Sequence, residues 1–315
     1  MTLRTYRKGD WAGVVELWRR NPSDEYGILG FNADAVGAVL RRTEGLGPRF
    51  VIGLARLIGR PIFVMLIVDL GGRVMGTTLV NFPPETGYVS GVVVDTSVRR
   101  QGHAQAMMRA ADDVARKYHR EYIALDVLGQ NEPAIRLYDR LGYQRLREHV
   151  WLVRPFGPAA PLPAPSGAAR IRAYEPRDGP ALAELDNALM PAEVRKVLPR
   201  HRQEFRGSRA ALTLLQSRQE SWVTEIDGKP VGFLQATISS VMQAANLSSP
   251  LFGADVPEPV ARDTLLTALR WVEGQQAPRV LTQVPEHQWA RRPLLDSLGF
   301  VEHFRAITMV KRLGA

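Results

Sequence analysis

Apolar residues along this chain keep two rhythms: short strand-like runs, and helix-like recurrences every three to four positions. Residues 3–6 read as a strand leading into a helix opened by Asp10. The run from Ile62 to Val68 stops at Asp69 and reads as a buried strand. Residues 63–69 and 74–80 form a hairpin around Gly71-Gly72, a pair favoured by tight two-residue turns. A β-branched strand over 88–94 comes next, then a helical pattern over 101–119 and a strand over 122–127. A helix over about 132–141 and a closing hairpin ending at Val153 complete this stretch.

Residues 155–169 carry five prolines and read as a semi-rigid exposed linker. The chain beyond this linker repeats the chain before it. Leu3-Arg4-Thr5-Tyr6 with Asp10 and Glu16-Leu17 recurs as Ile171-Arg172-Ala173-Tyr174 with Asp178 and Glu184-Leu185. Gly72-Arg73-Val74-Met75-Gly76 recurs as Gly228-Lys229-Pro230-Val231-Gly232, and Asp139-Arg140-Leu141-Gly142-Tyr143 as Asp296-Ser297-Leu298-Gly299-Phe300. Matches in one order at a nearly constant offset mean two copies of one domain, residues 1–154 and 170–315, joined by the linker. The second copy keeps the layout: strand 170–174, a helix opened by Asp178, hairpin 222–227 with 231–238, helix 260–273, strand 279–284, helix 289–298 and a strand near 306–311. Strands and helices mix within each copy, which gives an α/β class with a mixed sheet flanked by helices.

Composition then narrows the function classes. Hydrophobic residues make up 45% of the 315, ample for two cores. No apolar run approaches the roughly 18 residues needed to span a bilayer, and the first residues lack a signal-peptide core. A cytoplasmic protein without a membrane partner is the expectation. Zero cysteines exclude disulfides, thiolate metal sites and a cysteine nucleophile, and no metal is expected. The net charge of +9 is spread as scattered arginines without a run of five basic residues. That argues against nucleic acid as a partner and leaves charge to spare for an anionic ligand.

The richest segment is Val92-Val93-Val94-Asp95-Thr96-Ser97-Val98-Arg99-Arg100-Gln101-Gly102-His103-Ala104. A strand feeds a basic, glycine-bearing turn into a helix N-terminus, where unpaired N–H groups and the positive helix end suit a phosphate. Further on stands Asn131-Glu132-Pro133-Ala134-Ile135-Arg136-Leu137-Tyr138-Asp139-Arg140-Leu141-Gly142-Tyr143. Together, in this order and with a strand between them, the two motifs resemble the GNAT superfamily of N-acyltransferases. The loop fits that family's (Gln/Arg)-x-x-Gly-x-(Gly/Ala) pattern, and the later segment its Asn-x-x-Ala-x-x-x-Tyr-x-x-x-Gly-(Phe/Tyr) pattern. The motif match covers residues 88–143, layout extends it over the first copy, and the second copy matches by layout alone.

The resemblance implies two tandem GNAT-like domains, each a mostly antiparallel sheet flanked by helices. It implies acetyl-CoA or another acyl-CoA as co-substrate, and a primary amine, on a small molecule or a protein, as acceptor. Arg99, Arg100, Gln101, Gly102, His103 and Ala104 would cradle the CoA pyrophosphate, with no separate chemistry for His103. The main chain of Val92, Val93 and Val94 would meet the pantetheine arm. Asn131 and Ala134 would lie against the cofactor, although Asn131 reads equally well as a helix N-cap. Tyr138 would give a proton to the departing thiolate. For a general base the family often uses a glutamate near the start of the fourth strand; the candidates are Glu85 before that strand and Glu25 in the connection after the first helix.

The second copy has lost these features. Residues 250–259 replace the basic loop with two carboxylates and no arginine, Gln288 stands for Asn131, and Leu295 for Tyr138. It reads as a non-catalytic partner. The enzyme reading thus places direct acyl transfer in a ternary complex at the first copy. Its rival is a non-catalytic acyl-CoA-binding or regulatory module.

Overall fold

In a computed structural model the described residues are 2–21, 32–48, 53, 55, 62–83, 85–157, 161–206, 217–239 and 244–314. They fold into two compact units, one of residues 1–147 with 306–315 and one of residues 148–305.

The first unit opens with β1 (Thr2–Thr5), followed by helices α1 (Trp11–Arg20) and α2 (Ala33–Thr43). The sheet continues with β2 (Phe63–Leu70), β3 (Arg73–Asn81) and β4 (Thr86–Val94). Gly71 and Gly72 turn β2 into β3 with φ of +60° and +81°, the two left-handed positions of a type I′ hairpin. Helix α3 (His103–Lys117), β5 (Tyr122–Leu128) and α4 (Glu132–Arg140) come after it. Neighbouring strands run antiparallel from β1 to β4, and β4 lies parallel to β5.

The chain does not close this sheet as expected. In place of a closing hairpin there is one strand, β6 (Gln144–Pro155), and from residue 148 it belongs to the second unit. The strand beside β5 is β13 (Val301–Arg312), antiparallel, with Ala306 opposite Leu128 and Arg312 opposite Tyr122. In return β6 pairs with β12 (Arg279–Pro285) of the second unit. Each half of the sequence thus gives its closing strand to the other half's sheet, so the units are discontinuous where the sequence suggested a cut at 154.

The second unit repeats the layout with β7 (Arg170–Ala173), α5 (Gly179–Leu189), α6 (Ala192–Val197), β8 (Arg218–Ile226) and β9 (Lys229–Ile238). Asp227 and Gly228 make the same left-handed turn at φ of +50° and +73°. Short strands β10 (Ala245–Leu247) and β11 (Leu251–Phe252) both pair with β9. Helix α7 (Glu258–Gly274), β12, a 3-10 turn (Glu286–Arg291) and α8 (Arg292–Ser297) complete it. Both sheets are mostly antiparallel with one parallel pair.

The segment expected as an exposed linker is fastened to this unit. Buried Asp263 of α7 accepts the N–H groups of Ser166 and Ala168 and the Ser166 hydroxyl, and Arg270 holds the Pro163 carbonyl. Leu162 packs against the core formed by α7 and its sheet.

In the first unit apolar side chains cover both sheet faces. Met108, Ala111 and Ala115 of α3, with Ile135 and Tyr138 of α4, pack on Ile123, Leu125 and Val127 of β5. On the other face Val14, Leu17 and Leu40 of α1 and α2 cover Met65, Ile67 and Val93. The sheet is therefore held from both sides, and it parts between β4 and β5.

Candidate active site

That parting comes from strand register. β4 pairs with β5 from Thr86–Tyr122 to Val89–Leu125 and no further, whereas β3 stays paired to β4 as far as Val94. Between Ser90 and Val93, β4 carries one more residue than β3 opposite it, and Gly91 takes φ of +66° there. Such a bulge bends the strand and increases its twist, turning residues 90–94 off the line of β5. Thr77 and Thr78 Oγ1 approach the bulge carbonyls of Gly91 and Ser90 at 3.5 and 3.3 Å, and Trp18 Nε1 donates to Thr77 Oγ1 at 3.1 Å. The edges that diverge are main chain, so an extended amide-bearing chain fits between them as a strand would. Val92, Val93 and Val94 line that edge, and the Val93 side chain is core.

The loop after β4 is anchored at its start. Asp95 accepts the Ser97 hydroxyl at 2.6 Å and the Ser97 N–H at 3.0 Å, while Asn21 Oδ1 takes the Thr96 N–H at 2.8 Å. The Ser97 hydroxyl bond does most to hold the Asp95 carboxyl below the ordinary carboxylate range, against its burial, with Asn21 and Arg20 adding to it. Arg99 Nε donates to the Val94 carbonyl at 3.1 Å. Arg100 at φ +60° and Gly102 at φ +81° then turn the chain into α3. Left-handed residues at a helix start gather N–H groups into an anion-binding concavity, reinforced by the positive end of a 15-residue helix. Arg99, Arg100, Gln101 and Gly102 are exposed or nearly so, His103 is buried and Ala104 half-buried. A Cβ on Gly102 would meet no atom within 4 Å, so the main chain there is open to a ligand. The residues present fit a pyrophosphate.

Because β4 and β5 are parallel, the turn after β5 emerges at the same end as this loop. Asn131 caps α4, its side chain accepting the Ala134 N–H at 3.3 Å, so the capping role is realised. Tyr138 is buried, its ring 5.9 Å from that of Tyr143. The Tyr143 hydroxyl donates to Asp112 Oδ1 at 2.8 Å, and Lys311 Nζ reaches Asp112 Oδ2 at 2.5 Å. Burial, then the Asp112 carboxylate, push the Tyr143 phenol far above its ordinary value, so it stays a donor.

Of the carboxylates expected to serve as base, Glu25 lies outside the described residues. Glu85 is exposed at the N-terminal end of β4 beside Arg120, the end where β4 and β5 are still paired. The structure does not bring it to the gap. It brings Asp126 instead, which in the sequence is one polar residue inside a strand and carries no local signal. Asp126 is the first residue of β5 beyond the last pairing with β4. Strand alternation turns it away from Leu125 and Val127, onto the face opposite α3 and α4. Thr308 Oγ1 donates to its Oδ1 at 2.7 Å.

In the second unit the corresponding places are filled from within. Ser249 bonds Gln288 at 3.0 Å, and Thr282 donates to the Ser248 carbonyl at 3.2 Å. The guanidinium of Arg291 donates to the carbonyls of Val256 and Gly253 at 3.1 and 2.8 Å. The loop before α7 thus turns carbonyls toward a cation of the same unit, the reverse of a phosphate cradle.

The acetyltransferase (GNAT) family model matches residues 46–143. The catalytic subunit NAA20 of the N-terminal acetyltransferase B complex from Arabidopsis thaliana is 37% identical over 78 residues, 23% of this chain and 45% of that protein. This chain therefore spans about half the length of that curated relative. A tandem GNAT protein from the clavulanic acid biosynthesis pathway superposes over 100% of this chain and 99% of its own, with TM-score 0.67 and 17% identity. A GCN5-related N-acetyltransferase from Sphaerobacter thermophilus superposes over 100% of this chain and 96% of its own, with TM-score 0.65 and 15% identity. Over its whole length the chain has the fold of tandem GNAT proteins, and its residues 46–143 match the acetyltransferase (GNAT) family model.

Proposed function

We propose that the first unit is an acyl-CoA-dependent N-acyltransferase that uses acetyl-CoA to acylate a primary amine. The observation that carries this reading is the divergence of β4 and β5 past Val89 and Leu125, with the left-handed basic loop at its mouth. The main chain of residues 100–104 would bind the pyrophosphate, and Arg99 and Arg100 would add charge. The main-chain edge of Val92–94 would orient the pantetheine arm. Acetyl-CoA supplies an activated thioester; the remaining work falls to this chain's side chains. The amine nitrogen forms the new bond to the acyl carbon as the carbon–sulfur bond breaks. Asp126 takes the proton that the nitrogen loses, and Tyr138 gives one to the departing sulfur. Direct transfer suits a chain without cysteine. The match to an N-terminal acetyltransferase favours a protein amine as acceptor. The self-filled second unit supports one acyl-CoA site per chain.

Calorimetric titration with acetyl-CoA, followed by thiol-release assays over N-terminal peptides and small amines, tests the reading. One equivalent of acetyl-CoA should bind, and peptides should release CoA. Tyr138→Phe should lower turnover at least about tenfold with little change in acetyl-CoA affinity. Binding without thiol release from any amine would instead make the unit a non-catalytic acyl-CoA module.

A further inference from the structure

Both proton-handling groups are held by residues of one strand, β13. Thr308 is wholly buried, lies opposite Asp126 in the strand register and donates to its carboxylate at 2.7 Å. Arg147 Nε in turn donates to the Thr308 hydroxyl at 3.4 Å, fixing its orientation. Three residues further on, Lys311 holds Asp112, whose other oxygen holds Tyr143. The Lys311 ammonium is 5.7 Å from the centroid of the Tyr143 ring, and Tyr138 leans on that ring. Lys311 Cε also lies 3.9 Å from where a Cβ on Gly142 would stand, so its stem packs against the turn that ends α4.

The internal repeat supplies a control. β6 fills in the second unit the place that β13 fills in the first, in the same register, with Trp151 opposite Gln283 where Thr308 faces Asp126. Arg154 stands at the Lys311 position, and its Nε donates to the Leu298 carbonyl at 2.7 Å. At the places of Asp112, Tyr143 and Tyr138 the second unit carries Leu269, Phe300 and Leu295. Closing a sheet needs only the backbone ladder, which both strands provide. The polar links occur in the unit that has the basic loop, and residues that could form them are replaced in the other.

We propose that β13 is the positioning strand of the acyl-transfer site. Thr308 orients Asp126 directly, and Lys311 fixes Tyr138 through Asp112 and Tyr143. This rests on reading Asp126 and Tyr138 as proton acceptor and donor. The test uses the full chain and compares kcat and KM for Thr308→Val and Lys311→Met, alone and combined with Asp126→Asn and Tyr138→Phe respectively. Each single strand variant should lower kcat about tenfold at nearly constant KM for acetyl-CoA, since it misplaces a group without removing a binding contact. Thr308→Val should cost nothing further in the Asp126→Asn background, nor Lys311→Met in the Tyr138→Phe background. Thr308→Ser and Lys311→Arg should restore most of the loss. Unchanged kcat, or losses that multiply in the paired backgrounds, would overturn the proposal. Asp126→Asn and Tyr138→Phe at wild-type kcat would instead remove the acid–base assignment on which it stands. Should Lys311→Met fail to fold, Asp112→Asn takes its place in the same cycle, because it drops the charge that the ammonium balances and keeps an acceptor for Tyr143.

Discussion

Arg172 ties the first strand of the second unit to its first helix by gripping Asp178 at 2.7 Å through two nitrogens and Glu225 at 2.7 Å through the third. Arg4 does the same in the first unit with Asp10 and Asp69. The repeated arginine and aspartate are plain in the sequence, but their link is not. Each aspartate reads as a helix opener, yet neither side chain caps its helix; the arginine occupies it instead. Arg172 holds the Asp178 carboxyl below the ordinary carboxylate range, outweighing burial. The folded state therefore takes up this proton less readily than the unfolded one. The resulting stability is complete above the ordinary value of 3.8 and fades as pH falls through the lowered folded value. Arg172→Met leaves a buried, unpaired carboxylate and should cost about 3 kcal/mol at neutral pH. Urea unfolding should show that cost, and the gap to wild type should shrink in acid.

A loop, a bulge and two strand ends make the site at the level of elements. The loop is legible from residue types at fixed spacing, because left-handed turns and helix N-termini leave local signatures. Where β4 parts from β5 is not, since a glycine inside a strand hints at a bulge but the register at which pairing with β5 stops depends on three strands at once. That is why the base we propose is Asp126 and not Glu85. Nearness to the start of the fourth strand favours Glu85, but the gap opens at the strand's other end. Gly102 tests the loop itself. Its Cβ would find open space, so Gly102→Ala meets only the left-handed penalty of about 1 kcal/mol in the free protein. With a phosphate in the loop that methyl stands in the way, and acetyl-CoA affinity should fall at least about tenfold. Calorimetry reads this directly; unchanged affinity would count against the cradle.

Taken whole, the molecule is two copies of one fold that have traded closing strands. Repeat and fold class are legible in the sequence. The trade is not, because β6 and β13 hold the same place in the repeat and carry the same strand pattern, so nothing local says which sheet receives which. Deleting residues 306–315 should therefore damage the unit at the opposite end of the sequence. It uncovers the edge of β5, removes Ile307 and Met309 from the core and takes Lys311 from Asp112 and Thr308 from Asp126. The shortened chain should lose acetyl-CoA binding and a cooperative unfolding transition for the first unit. Full binding by residues 1–305 would contradict the strand assignment.

The traded strand also sets a schedule for the ribosome. Residues 1–147 emerge early, yet their sheet waits for a strand made about 160 residues later, roughly 8–30 s at ordinary elongation rates. Through that interval the nascent β5 has an open edge and its core lacks Ile307 and Met309, the kind of surface that recruits chaperones or aggregates. A message cut short before codon 306 should yield a first unit whose β5 edge is never covered, so completion of its site waits on translation of the second unit.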